Sequence, residues 1–367
     1  MVDKWEYFQS NRIIPERDKI LSCYAAFNHM RIRRNGGMSP CCFAIKKDKW
    51  VKGEYGLKDY WFGELNEAYR QAFLNQELHA GCQAVCGHRI DNYIQPPINE
   101  YDTNTGNDRL EHALDDNAWP RLFEFEISNL CNFACPMCMG ELSSKHMLGR
   151  DKDLKVYDPN VFDDDENLEQ LLIEISEFIP HLHVIRFTGG EPFAHKAFYR
   201  IADLITEINP NVLLDVTTNG SVFNKKVERV CNNNKLKLSM SLDTVVPEEY
   251  AIIRVGGKHE ETFANVQKFK NLIGSDNIKI NSALMSVNAA NIDQFFEYAR
   301  ANDFRAFINV YERLGRQHTE DWSLKLVPIE ILKETKKRLE QIFYPKSEFE
   351  IIKAIRLFDK AIEDATG

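Results

Sequence analysis

The 367-residue sequence predicts an α/β fold: a parallel sheet curled into a partial barrel of six strand–helix units. A small cysteine-rich α+β module precedes it and helices follow it. Three observations carry this. From Arg121 onward, strand-like and helix-like patterns alternate six times, as in a parallel sheet with crossover helices. Several strand-like runs alternate polar with apolar residues, whereas strands covered on both faces read as continuous apolar runs. All the cysteines except Cys231 precede residue 139.

Leu122 to Ser128 reads as the first strand of the barrel. Leu168, Leu171, Leu172, Ile175, Phe178 and Ile179 then share one helical face. Further strands are expected at Val184 to Thr188, Val212 to Thr218, Leu236 to Asp243, Ile278 to Val287 and Ala306 to Arg313. Helices fall between them, at Ala197 to Ile208, Thr262 to Ile273 and Ile292 to Ala301, and two more, Ile329 to Phe343 and Phe349 to Ala365, close the chain.

On the strand at Leu236 to Asp243, Leu236, Leu238, Met240 and Leu242 share one face, and Ser239, Ser241 and Asp243 the other. Glu124, Glu126 and Ser128 form a similar polar row, as do Arg186 and Thr188, Asp215, Thr217 and Asn219, and Asn309, Tyr311 and Arg313. Full eight-stranded barrels fill their interior with branched apolar side chains. Polar interior faces therefore predict an open, wider barrel with a site inside it. Glu126, Arg186, Asn309, Tyr311 and Arg313 are the candidate contacts to a polar substrate, a peptide or a small metabolite, with Glu126 and Tyr311 nearest the chemistry.

Residues 1–118 are expected to form the upstream module and a linker, 119–320 the barrel, and 321–367 a helical extension. Tyr101 to Asn117, polar and rich in Gly, Asn and Asp, reads as the linker. A net charge of −9 argues against a nucleic-acid surface, which needs clustered Lys and Arg. The start of the chain does not resemble a signal peptide, and no run approaches the roughly 18 apolar residues of a membrane span. A cytoplasmic location is the expectation. In a reducing compartment, nine cysteines point to metal or redox chemistry more than to disulfides.

Cys131, Cys135 and Cys138 have C-x3-C-x2-C spacing on the loop after the first barrel strand. Thiolates are the usual ligands of an Fe4S4 cluster, which normally takes four; three leave one iron open to a small molecule. Zinc prefers paired C-x2-C knuckles, and no fourth ligand is evident nearby.

This spacing, with Met137 before the last cysteine, resembles the defining motif of the radical S-adenosylmethionine (SAM) superfamily, whose fold is a partial (β/α)6 TIM-like barrel. Thr188-Gly189-Gly190-Glu191-Pro192 resembles the family's GGEP motif for the methionine amino group. Glycines allow close backbone approach, and Glu191 can accept from an ammonium. Thr217-Thr218-Asn219-Gly220 resembles the third-strand motif, and Ser239-Met240-Ser241-Leu242-Asp243 the fourth. Arg254, eleven residues beyond Asp243, sits where the family often places a basic residue. The resemblance spans about Arg121 to Arg313. It implies SAM chelated to the open iron of a [4Fe-4S] cluster, a 5′-deoxyadenosyl radical that abstracts hydrogen from substrate, and a low-potential electron donor such as flavodoxin or ferredoxin.

Cys23, Cys41, Cys42, Cys82 and Cys86 lie upstream, on what reads as a β-hairpin turning at Gly36-Gly37 and a later cysteine pair. The pattern resembles the SPASM or twitch auxiliary-cluster module, in a variant placed before the barrel, and implies a second [4Fe-4S] cluster. Gly36-x4-Cys41 and Gly37-x4-Cys42 fit equally, so spacing leaves the choice between Cys41 and Cys42 open. Zinc in the same thiolates, with His88 able to replace one, is the other reading. Cys231 reads as a buried thiol. The implied activity is oxidative modification of a peptide; redox-neutral rearrangement of a sugar or nucleotide, and a non-catalytic SAM-binding regulator, are the alternatives.

Overall fold

A computed structural model of the protein describes residues 3–44, 49–91, 101–102, 107–115, 117–153, 159–311 and 321–366. Arg313 lies outside them. The chain divides into two compact units, one built from 1–127, 158–187 and 200–214, the other from 128–157, 188–199 and 215–367.

In the first unit, β1 (His29–Arg33) and β2 (Met38–Ser39) form the expected hairpin, pairing Arg31 with Ser39 and Ile32 with Met38. Its turn needs Gly36 at φ +79°, a left-handed conformation that side chains disfavour. β3 (Leu122–Glu126) pairs parallel with β1, which the sequence pattern did not anticipate. Alternation shows that a segment is a strand, not whether its second edge is used. Here cross-strand charge uses it: Arg31 faces Glu124 and Arg33 faces Glu126 in register. The Arg31 guanidinium reaches Glu124 at 3.2 Å and Glu126 at 2.6 Å. β4 (Val184–Thr188) completes the order β2-β1-β3-β4.

Two residues of the segment expected to be a linker, Asp102 and Arg109, are buried in this unit. Asp102 is fully buried and accepts from Nε and Nη2 of Arg12, both at 2.9 Å. Arg109 Nη1 pairs with buried Asp18, and its Nε donates to the Asp102 carbonyl at 3.0 Å. Asp102 and Arg109 of the segment thus belong to buried ion pairs, while Asn107, Asp108, Glu111, Asp115 and Asn117 are exposed.

In the second unit, β5 (Leu213–Thr218), β6 (Lys235–Ser241), β7 (Ile278–Leu284) and β8 (Arg305–Val310) follow in that order. β6–β7 and β7–β8 are parallel, with Ser241 beside Asn281 and Ala283 beside Asn309. β8 ends this strand order. Every expected barrel strand is present within a few residues of its expected ends. Burial on β7 alternates, with Ile278, Ile280, Ser282 and Leu284 inward to the helices.

An open sheet leaves an edge strand with unpaired backbone groups, normally a hazard. The last helix, Glu348–Thr366, and the short turn before it, Pro345–Ser347, cover β8. Ser347 Oγ accepts from Ala306 N at 2.8 Å, Glu350 Oε2 accepts from Ile308 N at 2.9 Å, and Lys353 Nζ donates to Ile308 O. Among the described residues, no helix is long and apolar enough to cross a membrane.

Glu350→Ala should leave the Ile308 N–H buried and unpartnered, costing about 1–3 kcal/mol in urea unfolding. An unchanged midpoint would remove this role for the C-terminal helix.

Candidate functional site

The site lies within the second unit, at the carboxyl ends of its strands. It begins with the stem of the cysteine loop, where Gly190 N donates to Ser128 O at 2.6 Å and Glu191 N to Leu130 O at 2.7 Å. Only glycine permits this approach: a Cβ on Gly189 would sit 2.4 Å from Ser128 O, and one on Gly190 would sit 2.2 Å from Leu130 O. Gly189 also takes φ +111°.

Glu191 is fully buried beneath this contact, and its carboxylate is used by the protein itself. Oε1 accepts from Phe193 N (3.2 Å) and Thr218 Oγ1 (2.8 Å), and Oε2 from Asn219 N (2.7 Å). It therefore ties the turn after β4 to the end of β5. Asn219 continues the link, donating from Nδ2 to Asn132 Oδ1 at 2.9 Å.

On the opposite side, Ala134 N donates to Val255 O at 2.8 Å, the buried Phe133 ring packs against Gly257, and Gly256 lies against the backbone of Asn132 and Phe133. Arg254 points an Nη1 at Cys135 Sγ, 3.6 Å away, while its Nε meets Asp243 Oδ2 at 2.6 Å. Burial alone would lower its pKa, but Asp243 and Cys135 outweigh that and hold the guanidinium charged. Asp243 adopts φ 64°, a left-handed conformation that Asp tolerates better than most residues. Ser282 Oγ and Asn288 Nδ2 fix its carbonyl, at 2.7 and 3.0 Å.

A cavity of about 270 Å³ results. Cys131, Cys135 and Cys138 line it, with Met137, Gly189, Gly190, Thr217, Asn219, Ser241, Asp243, Arg254 and Asn309. Burial raises the pKa of all three thiols, Cys138 to about 12, while Arg254 draws Cys135 back. Phe133 N and Asn219 Nδ2 approach Cys131 Sγ at 3.5 and 3.9 Å. No group of three or more His, Cys, Asp or Glu side chains among the described residues is placed to hold a metal ion.

Several expected site residues stand elsewhere. Glu191 does not line the cavity, because Thr218, Asn219 and Phe193 take its oxygens. Pro192 is buried at the start of a short turn, and Ser239 is buried on β6 outside the lining set. Tyr311 packs with Ile253 and Met285 against Met137 instead of lining the cavity. Glu126 and Arg186 belong to the first unit, where Glu126 is paired with Arg31. Sequence reasoning missed Met139, Leu142 and Asn281. Asn281 Oδ1 is buried without a hydrogen-bond partner. Its signal was present in the alternation of Lys279, Asn281 and Ala283 along one strand.

In the first unit, Cys23, Cys41, Cys82 and Cys86 line a small apolar cavity with Tyr101, Phe43 and Phe73. All four are buried, and Cys41 lies within electrostatic reach of the other three. Cys42 is not among the lining residues: its Sγ is 3.4 Å from Tyr101 Oη, with Arg31, Glu124 and Cys41 as its electrostatic neighbours. His88 is exposed and does not line the cavity. Cys231 is buried in the helix Lys225–Asn233.

Residues 125–299, a little under half of the chain, match the family model described as the radical SAM superfamily. Curated relatives include a GTP 3′,8-cyclase of Streptomyces coelicolor, 23% identical over 52% of this chain and 53% of its own length. Another is a probable GTP 3′,8-cyclase of Methanococcus maripaludis, 25% identical over 62% of this chain and 70% of its own. The chain thus spans little more than half of the first. Among solved structures, Streptococcus suis SuiB bound to S-adenosylmethionine is similar at 13% identity and TM-score 0.44, covering 85% of this chain and 68% of that one.

Two outcomes follow from the turn after β4. Gly190→Ala should drive the loop stem away and lower iron uptake by the protein while circular dichroism stays native-like; full iron content would contradict the contact. Burial, outweighing its three donors, pushes the Glu191 carboxyl from 4.5 to about 7. The folded protein then holds this proton more tightly than the unfolded chain, so stability falls as pH rises through that window. The loss is roughly 3 kcal/mol at about 1.4 kcal/mol per unit. Denaturation across the window should show a steeper decline for wild type than for Glu191→Gln; parallel curves would count against it.

Proposed function

We propose that the chain is a radical SAM enzyme that abstracts hydrogen from a polar substrate. One observation carries the reading: three thiols on one loop share a cavity with the glycine turn after β4 and polar residues from the ends of β5 to β8. Three sulfur donors, approached by Arg254, Asn219 and a backbone N–H, fit a [4Fe-4S] cluster with one iron left for SAM. When bound and reduced, that cluster supplies the electron that splits SAM into methionine and a 5′-deoxyadenosyl radical.

The chain's own residues bind and shield. Cys131, Cys135 and Cys138 hold the cluster, and Arg254 stabilises the thiolate of Cys135. Gly189 and Gly190 let backbone approach the methionine end of SAM. Thr217, Ser241, Asp243 and Asn281 offer hydroxyl, carboxylate and amide groups to its polar atoms. Phe133, Met137, Met139 and Leu142 keep water from the loop side.

Cys23, Cys41, Cys82 and Cys86 hold a second [4Fe-4S] cluster in this reading, and Cys42 is not a ligand. Held by these four thiols, an auxiliary cluster would supply an acceptor for the electron left by a net oxidation, which is the reading of oxidative peptide modification. The GTP cyclase names of the curated relatives favour a second reading, rearrangement of a nucleotide.

Anaerobically reconstituted protein with SAM, reductant and a flavodoxin or ferredoxin donor should release 5′-deoxyadenosine, and Cys131→Ala should abolish this. SAM bound but never cleaved would replace the enzyme with a SAM-binding regulator. Deuterium passing into 5′-deoxyadenosine from a labelled peptide pool, and not from labelled GTP, would decide for the peptide. Iron should fall by about four per chain in Cys41→Ala and stay unchanged in Cys42→Ala. Zinc recovered in place of that iron would overturn the auxiliary cluster.

A further inference from the structure

The segment just after the cysteine loop serves the loop in a way that no motif reports. The loop's carbonyl groups belong to neither helix nor sheet, and each needs a donor. His146, buried on the short helix Ser144–Leu148, places Nε2 2.7 Å from Cys135 O. A carbonyl only accepts, so Nε2 carries the hydrogen. Arg150 donates from Nη1 to Pro136 O at 3.1 Å and from Nη2 to Cys138 O at 2.6 Å.

Asp151, also buried, aims that guanidinium. Its Oδ1 accepts from Arg150 Nε at 2.7 Å, and its Oδ2 accepts from Gly140 N at 2.7 Å. Two side chains thus fix three carbonyls within four residues of loop, and a third closes the turn at Gly140. The oxygens are drawn to the helix side, while the thiols of Cys135 and Cys138 line the cavity. A planar fork spanning two carbonyls is a geometry that arginine provides and lysine does not.

We propose that Arg150, oriented by Asp151, and His146 are positioning residues that pre-form the three-thiol cradle before the cluster is inserted. This rests on the radical SAM reading above. Supporting groups behind metal ligands commonly change metal retention by 10–100-fold. Arg150→Lys keeps the charge but not the fork. It should leave the unfolding temperature of the cluster-free protein near wild type, speed cluster loss to a chelator roughly tenfold, and weaken the SAM-induced change in the EPR signal of the reduced cluster.

Arg338→Lys is the matched control. Arg338 also joins a carboxylate, Asp293, to a loop carbonyl, Ala290 O, but lies outside the cysteine loop. It should leave cluster loss unchanged. Wild-type cluster lifetime and EPR response in Arg150→Lys would overturn the proposal, as would equal cluster loss in both variants, which would mark a general loss of stability. A wild-type protein with no SAM-responsive cluster would instead sink the functional reading on which this one stands.

Discussion

The site depends on backbone laid against backbone. Gly189 and Gly190 meet the stem of the cysteine loop at distances that exclude any side chain. From that contact a closed circuit of hydrogen bonds can be followed. Gly190 and Glu191 hold Ser128 and Leu130, the Glu191 carboxylate holds Asn219, and Asn219 holds Asn132 beside Cys131. A carboxylate buried this deeply is tolerable only because backbone and hydroxyl donors meet it. The tetrapeptide after β4 thus serves as frame before it serves any ligand.

The opposite side of the cavity is built from charge. Arg254 and Asp243 are both buried, and separating such a pair by deleting one partner commonly costs about 3–5 kcal/mol. Asp243 is in turn held in its left-handed conformation from β7 and the turn beyond it, by Ser282 and Asn288. One arginine therefore links three things: the fourth-strand motif, the sulfur of Cys135, and, through the backbone beyond it, Phe133 and Ala134 of the loop. Hydrogen bonds fasten one flank of the loop and a buried ion pair the other.

Much of this was legible in the sequence, because periodicity and spacing report strands and loops directly. The barrel strands and the cysteine spacing are of that kind. What was hidden depends on partners distant in the chain. Asp102 finds Arg12, and Arg109 finds Asp18, across about ninety residues, so the polarity of a segment read as a linker does not reveal its buried ion pairs. Glu191 was assigned to a ligand because its type was visible while its three donors were not. Cys41 and Cys42 are indistinguishable by spacing and are separated only by which of them lines the cavity. Arg150 belongs to no motif, since its targets are carbonyl oxygens that every residue carries.

The saturated groups also identify those that are not. Glu191, Asn219 and Asn288 spend their hydrogen-bonding capacity within the protein, which marks them as frame. Asn281 faces the same cavity from β7, beside Ser241 in register, with its Oδ1 buried and unpartnered. An unpartnered buried acceptor is disfavoured by about 1–3 kcal/mol, so its persistence needs a reason. A donor brought by a ligand supplies one. Asn281 Oδ1 thus stands apart from the carboxylate of Glu191, whose oxygens the protein's own donors already meet.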